Sequence, residues 1–178
     1  MAGEVFSIKN IIELVISEIE RKAGGPFQHQ LTYLKDIRSR YFIKPKAQPL
    51  SEFSMVLAPH RYYLAHYFPT MQLFDQCAML IHESVHDKQH QKMGSVAFYA
   101  KYATFKGRYE LELEAFKEEF RWYWVNGWLM HPTKLYNFVD YLVEKYKKNY
   151  VTLWWFTKKR QQEMKNELLS IVDQNPHV

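Results

Sequence analysis

The sequence predicts a mainly helical α+β domain, with a small antiparallel sheet beside a long central helix. Three observations predict it. Apolar residues recur at helical spacing through most of the chain, short aromatic and aliphatic stretches between prolines interrupt that pattern between about residues 53 and 68, and an apolar run leads straight into a His-Glu-x-x-His motif. The 178 residues are 47% hydrophobic and 24% charged, enough for one globular domain, residues 1–178, with a sizeable core. Six glycines and seven prolines exclude a fibrous or low-complexity chain, and a single cysteine, Cys77, excludes a disulfide-stapled scaffold.

The first element is an amphipathic helix over about residues 7–23, in which Ile8, Ile11, Ile12, Val15, Ile16 and Ile19 share one face and Gly24, Gly25 and Pro26 close it. Pro45, Pro49, Pro59 and Pro69 then punctuate short stretches, Arg40 to Ile43, Phe53 to Ala58 and Arg61 to Phe68, of which the last two are read as strands. A helix from about Met71 to Met93 follows, with Gly94 as its stop. Next comes a shorter one from Ser95 to about Phe105, ended near Gly107. Three more run from about Glu110 to Val125, Pro132 to Lys147 and Thr152 to Val172, with Gly127 and the His131–Pro132 pair breaking the first two apart.

The chemistry-bearing motif is His82, Glu83, Ser84, Val85, His86, preceded by Ala78, Met79, Leu80 and Ile81. Residues four apart lie one turn above each other on a helix, so both imidazoles can reach one metal ion while Glu83 stands beside it. Chance alone would place this pattern in about 3% of chains of this composition, so context has to carry part of the argument. The later helix supplies that context: Glu110, Glu112 and Glu114 alternate with Leu111 and Leu113. A run of carboxylates is ordinarily a solvated face. If Leu113, Phe116 and Phe120 form the packed stripe, however, Glu112 lies beside it, about 100° around the helix from Leu113, and Glu114 is the competing choice.

HExxH followed by a glutamate on a later helix resembles the gluzincin branch of zinc metallopeptidases. Glu112, Leu113, Glu114, Ala115 is similar to the Glu-x-x-Ala form found in bacterial and phage zincin-like domains, and Gln89 stands three residues after His86 as in that group. The resemblance covers roughly residues 61–120. It implies zinc held by His82, His86 and Glu112, with Glu83 as general base in hydrolysing a peptide or protein substrate. Many gluzincins place Asp or Asn directly after that Ala to orient a ligand, whereas this chain has Phe116, so support for the ligands has to come from elsewhere. The metzincin pattern fails, because Gln89 and Lys92 replace its Gly and third His. His90 lies one turn beyond His86, and a straight helix cannot wrap three ligands tetrahedrally around one ion. Tyr102, Arg108, Tyr109 and His131 are types able to stabilise an oxyanion, and the sequence does not choose among them.

The remaining features have plainer readings. Trp122, Tyr123, Trp124 and Trp128, and then Trp154, Trp155 and Phe156, are dense enough to pack the core between the C-terminal helices at about 131–172. Their density also motivates the alternative function, a structural or interaction protein, such as part of a phage particle or other assembly, that retains a zincin-like scaffold. Lys145, Lys147, Lys148, Lys158, Lys159, Arg160 and Lys165 read as solvated faces, and with a net charge of +5 nucleic acid is not the expected partner. Charges at Lys9, Glu13, Glu18 and Glu20 do not fit a signal peptide, and no window has 18 uncharged apolar residues. A cytoplasmic protein without a transmembrane segment is expected, with incorporation into a virion or other assembly left open. Cys77 is read as a small core residue.

Overall fold

The computed structural model describes residues 8–22, 27–28, 35, 54–59, 61–65, 67–150 and 155–174. Among the described residues lie six α-helices, α1 (Ile8–Lys22), α2 (Leu73–Met93), α3 (Ser95–Ala103), α4 (Phe105–Val125), α5 (Pro132–Tyr150) and α6 (Lys158–Gln174), and two strands, β1 (Met55–Ala58) and β2 (Arg61–Tyr63). The fold is therefore mainly helical α+β with a two-stranded antiparallel sheet, the class the sequence predicts. No helix among the described residues is long and apolar enough to cross a membrane. Residues 1–95 and 96–178 form two compact units.

In the first unit, the apolar stripe of α1 buries Val15, Ile16 and Ile19, and α1 packs on α2. The contact is close enough to bring Cys77 Sγ within 3.8 Å of the Val15 carbonyl oxygen. Burial pushes the Cys77 thiol well up, so it stays protonated as the core residue the sequence suggests. The strands pair with Met55 opposite Tyr63 and Val56 opposite Tyr62, and an irregularity between Val56 and Ala58 turns Leu57 outward. β1 lies along α2, so the sheet stands beside the HExxH helix. The second strand is shorter than the stretch Arg61 to Phe68, because Phe68–Thr70 instead forms a 3-10 turn around Pro69. Gln76 Nε2 donates to Phe68 O at 2.8 Å and pins that turn to α2. The stretch Arg40 to Ile43 lies outside the described residues. α2 ends where the sequence places its stop: Gly94 adopts φ 78°, and its N–H closes on His90 O at 2.8 Å.

In the second unit, the boundary between α3 and α4 departs from the sequence reading. Gly107 is not a stop. Thr104 is extended and its Oγ1 accepts from Gly107 N–H at 3.0 Å, an N-cap that starts α4 at Phe105 rather than about Glu110. Glycine is required there for space: a Cβ at Gly107 would stand 2.2 Å from Lys101 O. α4 and α5 both pack on α6. The core of this unit holds Leu111, Phe116, Phe120, Trp122, Leu142, Tyr146, Phe156, Met164 and Leu168. The aromatic clusters serve this packing, with Tyr123 and Phe138 rings 4.5 Å apart and Tyr146 and Phe156 rings 4.9 Å apart. Trp128 stays half exposed, and Trp154 lies outside the described residues. α6 starts at Lys158 rather than about Thr152, after a bend at Trp155 and Phe156.

Candidate metal centre

α2 carries an unusual load for a buried helix. Besides Leu80, Ile81 and Val85 it buries His82, Glu83, Ser84, His86, Asp87, Gln89 and His90, so polar groups occupy several of its faces. Buried polar side chains need hydrogen-bond or metal partners, and such a concentration marks a site more than a core. The His82 and His86 rings stack edge to face with centroids 5.1 Å apart, one turn apart on one side of the helix. His86 Nδ1 meets Gln89 Oε1 at 2.9 Å. With the amide oxygen as acceptor, Nδ1 carries the proton and Nε2 keeps its lone pair, the tautomer a metal ligand needs.

α4 supplies the carboxylate. Its buried face runs through Leu111, Glu112, Ala115, Phe116, Glu119 and Phe120, while Glu114 is exposed and Leu113 is half-buried. The stripe is thus set by Leu111 and Ala115 rather than by Leu113, and Glu112 lies within it rather than at its margin. Tyr102 Oη donates to Glu112 Oε1 at 2.7 Å, a charge-assisted bond that orients the carboxylate. Two turns along the same face, Glu119 Oε1 takes Lys145 Nζ at 3.4 Å, with the ammonium also over the Phe116 ring at 5.3 Å. Burial by itself would lower the Lys145 pKa, but the carboxylate of Glu119, with Tyr141 and Glu112 adding to it, outweighs burial and the net shift is upward.

One ligand atom from each of His82, His86 and Glu112 lies within 4.8 Å of the other two, and all three residues are buried. Among the described residues no other group of three or more His, Cys, Asp or Glu side chains is so arranged. Two imidazoles and a carboxylate form the three-protein-ligand set of catalytic zinc sites. Tetrahedral donors at about 2.0–2.2 Å from one ion stand about 3.3–3.6 Å apart, a spacing inside the 4.8 Å that bounds these three ligand atoms. Glu83, next to His82 on α2, is likewise buried.

The other residues singled out from sequence have different surroundings. His90 is fully buried, with Nδ1 3.3 Å from Ser95 Oγ, and burial lowers its pKa despite the Val56 backbone and Asp87. It is a core histidine and lies outside the three-residue group. Tyr102 directs its hydroxyl at Glu112, and Arg108 Nε donates to the Tyr102 carbonyl at 3.0 Å. Tyr109 sits among the rings of Tyr146, Trp155 and Phe156, where burial raises its phenol to about 12. His131 is exposed. Sequence reasoning missed the orienting role of Tyr102 toward Glu112, because ten residues and a helix boundary separate the two. The chain matches no protein-family model, no curated protein and no solved structure.

Proposed function

We propose that this protein is a zinc-dependent peptidase that hydrolyses peptide bonds in a peptide or protein substrate. The observation that carries the reading is the convergence of His82, His86 and Glu112 on one buried point, with Glu83 buried next to His82 in the motif. Zinc, when bound, supplies a Lewis acid that polarises a carbonyl and brings the pKa of water to about 7. The chain's own groups do the rest. His86 is held by Gln89, Glu112 is held by Tyr102, and Glu83 takes the proton of the attacking water and returns it to the leaving amine as the C–N bond breaks.

The test combines metal content with hydrolysis. Protein purified with zinc offered should hold one zinc per chain, lost in His82→Ala, His86→Ala and Glu112→Ala. Glu83→Gln should keep the metal and slow hydrolysis of a peptide library by about 10²–10⁴-fold, the range for losing a general base. A wild type that takes up no zinc, or a Glu83→Gln variant as active as wild type, would overturn the reading.

One observation favours the second reading, an assembly or scaffold role. Trp128, Met130, Tyr136 and Tyr141 in the second unit are large, apolar and exposed. Under that reading Glu83→Gln leaves every property unchanged, and the chain sediments as a complex rather than a monomer.

A further inference from the structure

The residue after Ala115 is Phe116, which packs into the core and offers Glu112 no polar support. A carboxylate ligand that is fully buried still needs a donor to hold its plane, since rotation about its last torsion is broad and otherwise limited only by packing. The corner between α3 and α4 supplies one. Tyr102 lies in the last turn of α3, and its hydroxyl reaches Glu112 Oε1 at 2.7 Å. The bond fixes the plane of the Glu112 carboxylate and leaves lone pairs on it for a metal ion.

The ring that carries this hydroxyl is itself fixed by the corner. Phe98, buried one turn earlier on α3, stacks on it with centroids 5.6 Å apart. Arg108, from the first turns of α4, places its guanidinium 5.1 Å from the ring centroid and donates from Nε to the Tyr102 carbonyl at 3.0 Å. The corner backbone is equally constrained: Thr104 Oγ1 both donates to Lys101 O at 2.8 Å and accepts from Gly107 N–H, and Gly107 leaves no room for a Cβ against Lys101. Each contact restricts where the Tyr102 hydroxyl can point.

We infer that Tyr102, its ring held by Phe98 and Arg108, is the positioning residue of the metal centre. The inference rests on the zinc reading above and adds to it the residue that pre-sets Glu112 as a ligand. Tyr102 acts through Glu112 and does not act on the substrate.

Tyr102→Phe removes one hydroxyl and leaves the ring, so the fold is expected to persist. Zinc affinity is measured by competition with a chromophoric chelator on wild type, Tyr102→Phe, Arg108→Met and Glu112→Ala. Loss of an outer-shell partner typically weakens metal binding about 10–100-fold. Tyr102→Phe should show that loss, and Arg108→Met a smaller loss in the same direction. The zinc-free thermal midpoint of Tyr102→Phe should stay near wild type while its rise on adding zinc shrinks, a pairing that a purely structural role would not produce. The visible spectrum of the cobalt-substituted protein should also change in Tyr102→Phe. Equal zinc affinity in wild type and Tyr102→Phe, with Glu112→Ala still weakened, would overturn the role of Tyr102 and leave the metal site standing. Failure of wild type to bind zinc would overturn the site and this role together.

Discussion

Glu112 and Glu114 differ by two positions, about 200° around α4, and that rotation separates a carboxylate in the buried stripe from one in water. Glu114→Ala should keep full zinc content by elemental mass spectrometry, whereas Glu112→Ala should lose it. His90 makes a different prediction at the same scale. Its folded pKa is depressed by burial, against the opposing influence of Asp87 and with His86 adding to the depression. The unfolded chain therefore binds the proton more readily, and stability is full above the unfolded value of about 6.5. It is lost progressively as pH falls from there through the lower folded value. Urea midpoints should fall between pH 7 and pH 5, and His90→Gln should flatten that dependence.

At the scale of elements, the α3–α4 corner carries more than its length suggests. Gly107→Ala gains helix propensity of about 1 kcal/mol, but the new Cβ would meet a backbone oxygen at 2.2 Å and a Lys101 carbon at 2.5 Å. Backbone cannot give way as cheaply as a side chain, so overpacking of about 1–3 kcal/mol should win and lower the thermal midpoint. Thr104→Ala removes the cap without a clash and should cost about 1 kcal/mol in urea titration. α2 illustrates the opposite case. Its sequence shows only a modest apolar stripe because its polar residues too are buried, and those residues are the ones with chemistry.

At the scale of the molecule, the proposed zinc site would link metal binding to stability. A ligand that binds only the folded chain stabilises it by about 4 kcal/mol at a thousand times its dissociation constant, so a strong chelator should lower the thermal midpoint of wild type and leave that of His82→Ala unchanged. A change to core packing alone should behave differently. Phe120→Ala, at a fully buried core position, should cost about 3–5 kcal/mol by calorimetry with and without zinc alike.

The sequence by itself determined what local rules control. Helix periods, the glycine stop at Gly94 and the proline at the start of α5 need only nearby residues to act, and the i, i+4 spacing of His82 and His86 puts both rings on one side of α2 wherever the helix forms. Gly107 defeated the local rules, since as an isolated residue it looks like a break and only the approach of Lys101 O shows it as a close-contact position inside a helix. Tertiary structure alone decided which glutamate of α4 is buried, because alternating Glu and Leu fit more than one stripe until packing selects Leu111, Ala115 and Phe116. It also decided that Tyr102 reaches Glu112. That contact depends on the angle at a helix corner, and the angle is set by a cap, a missing Cβ and a guanidinium acting together, none of which spacing along a chain can express.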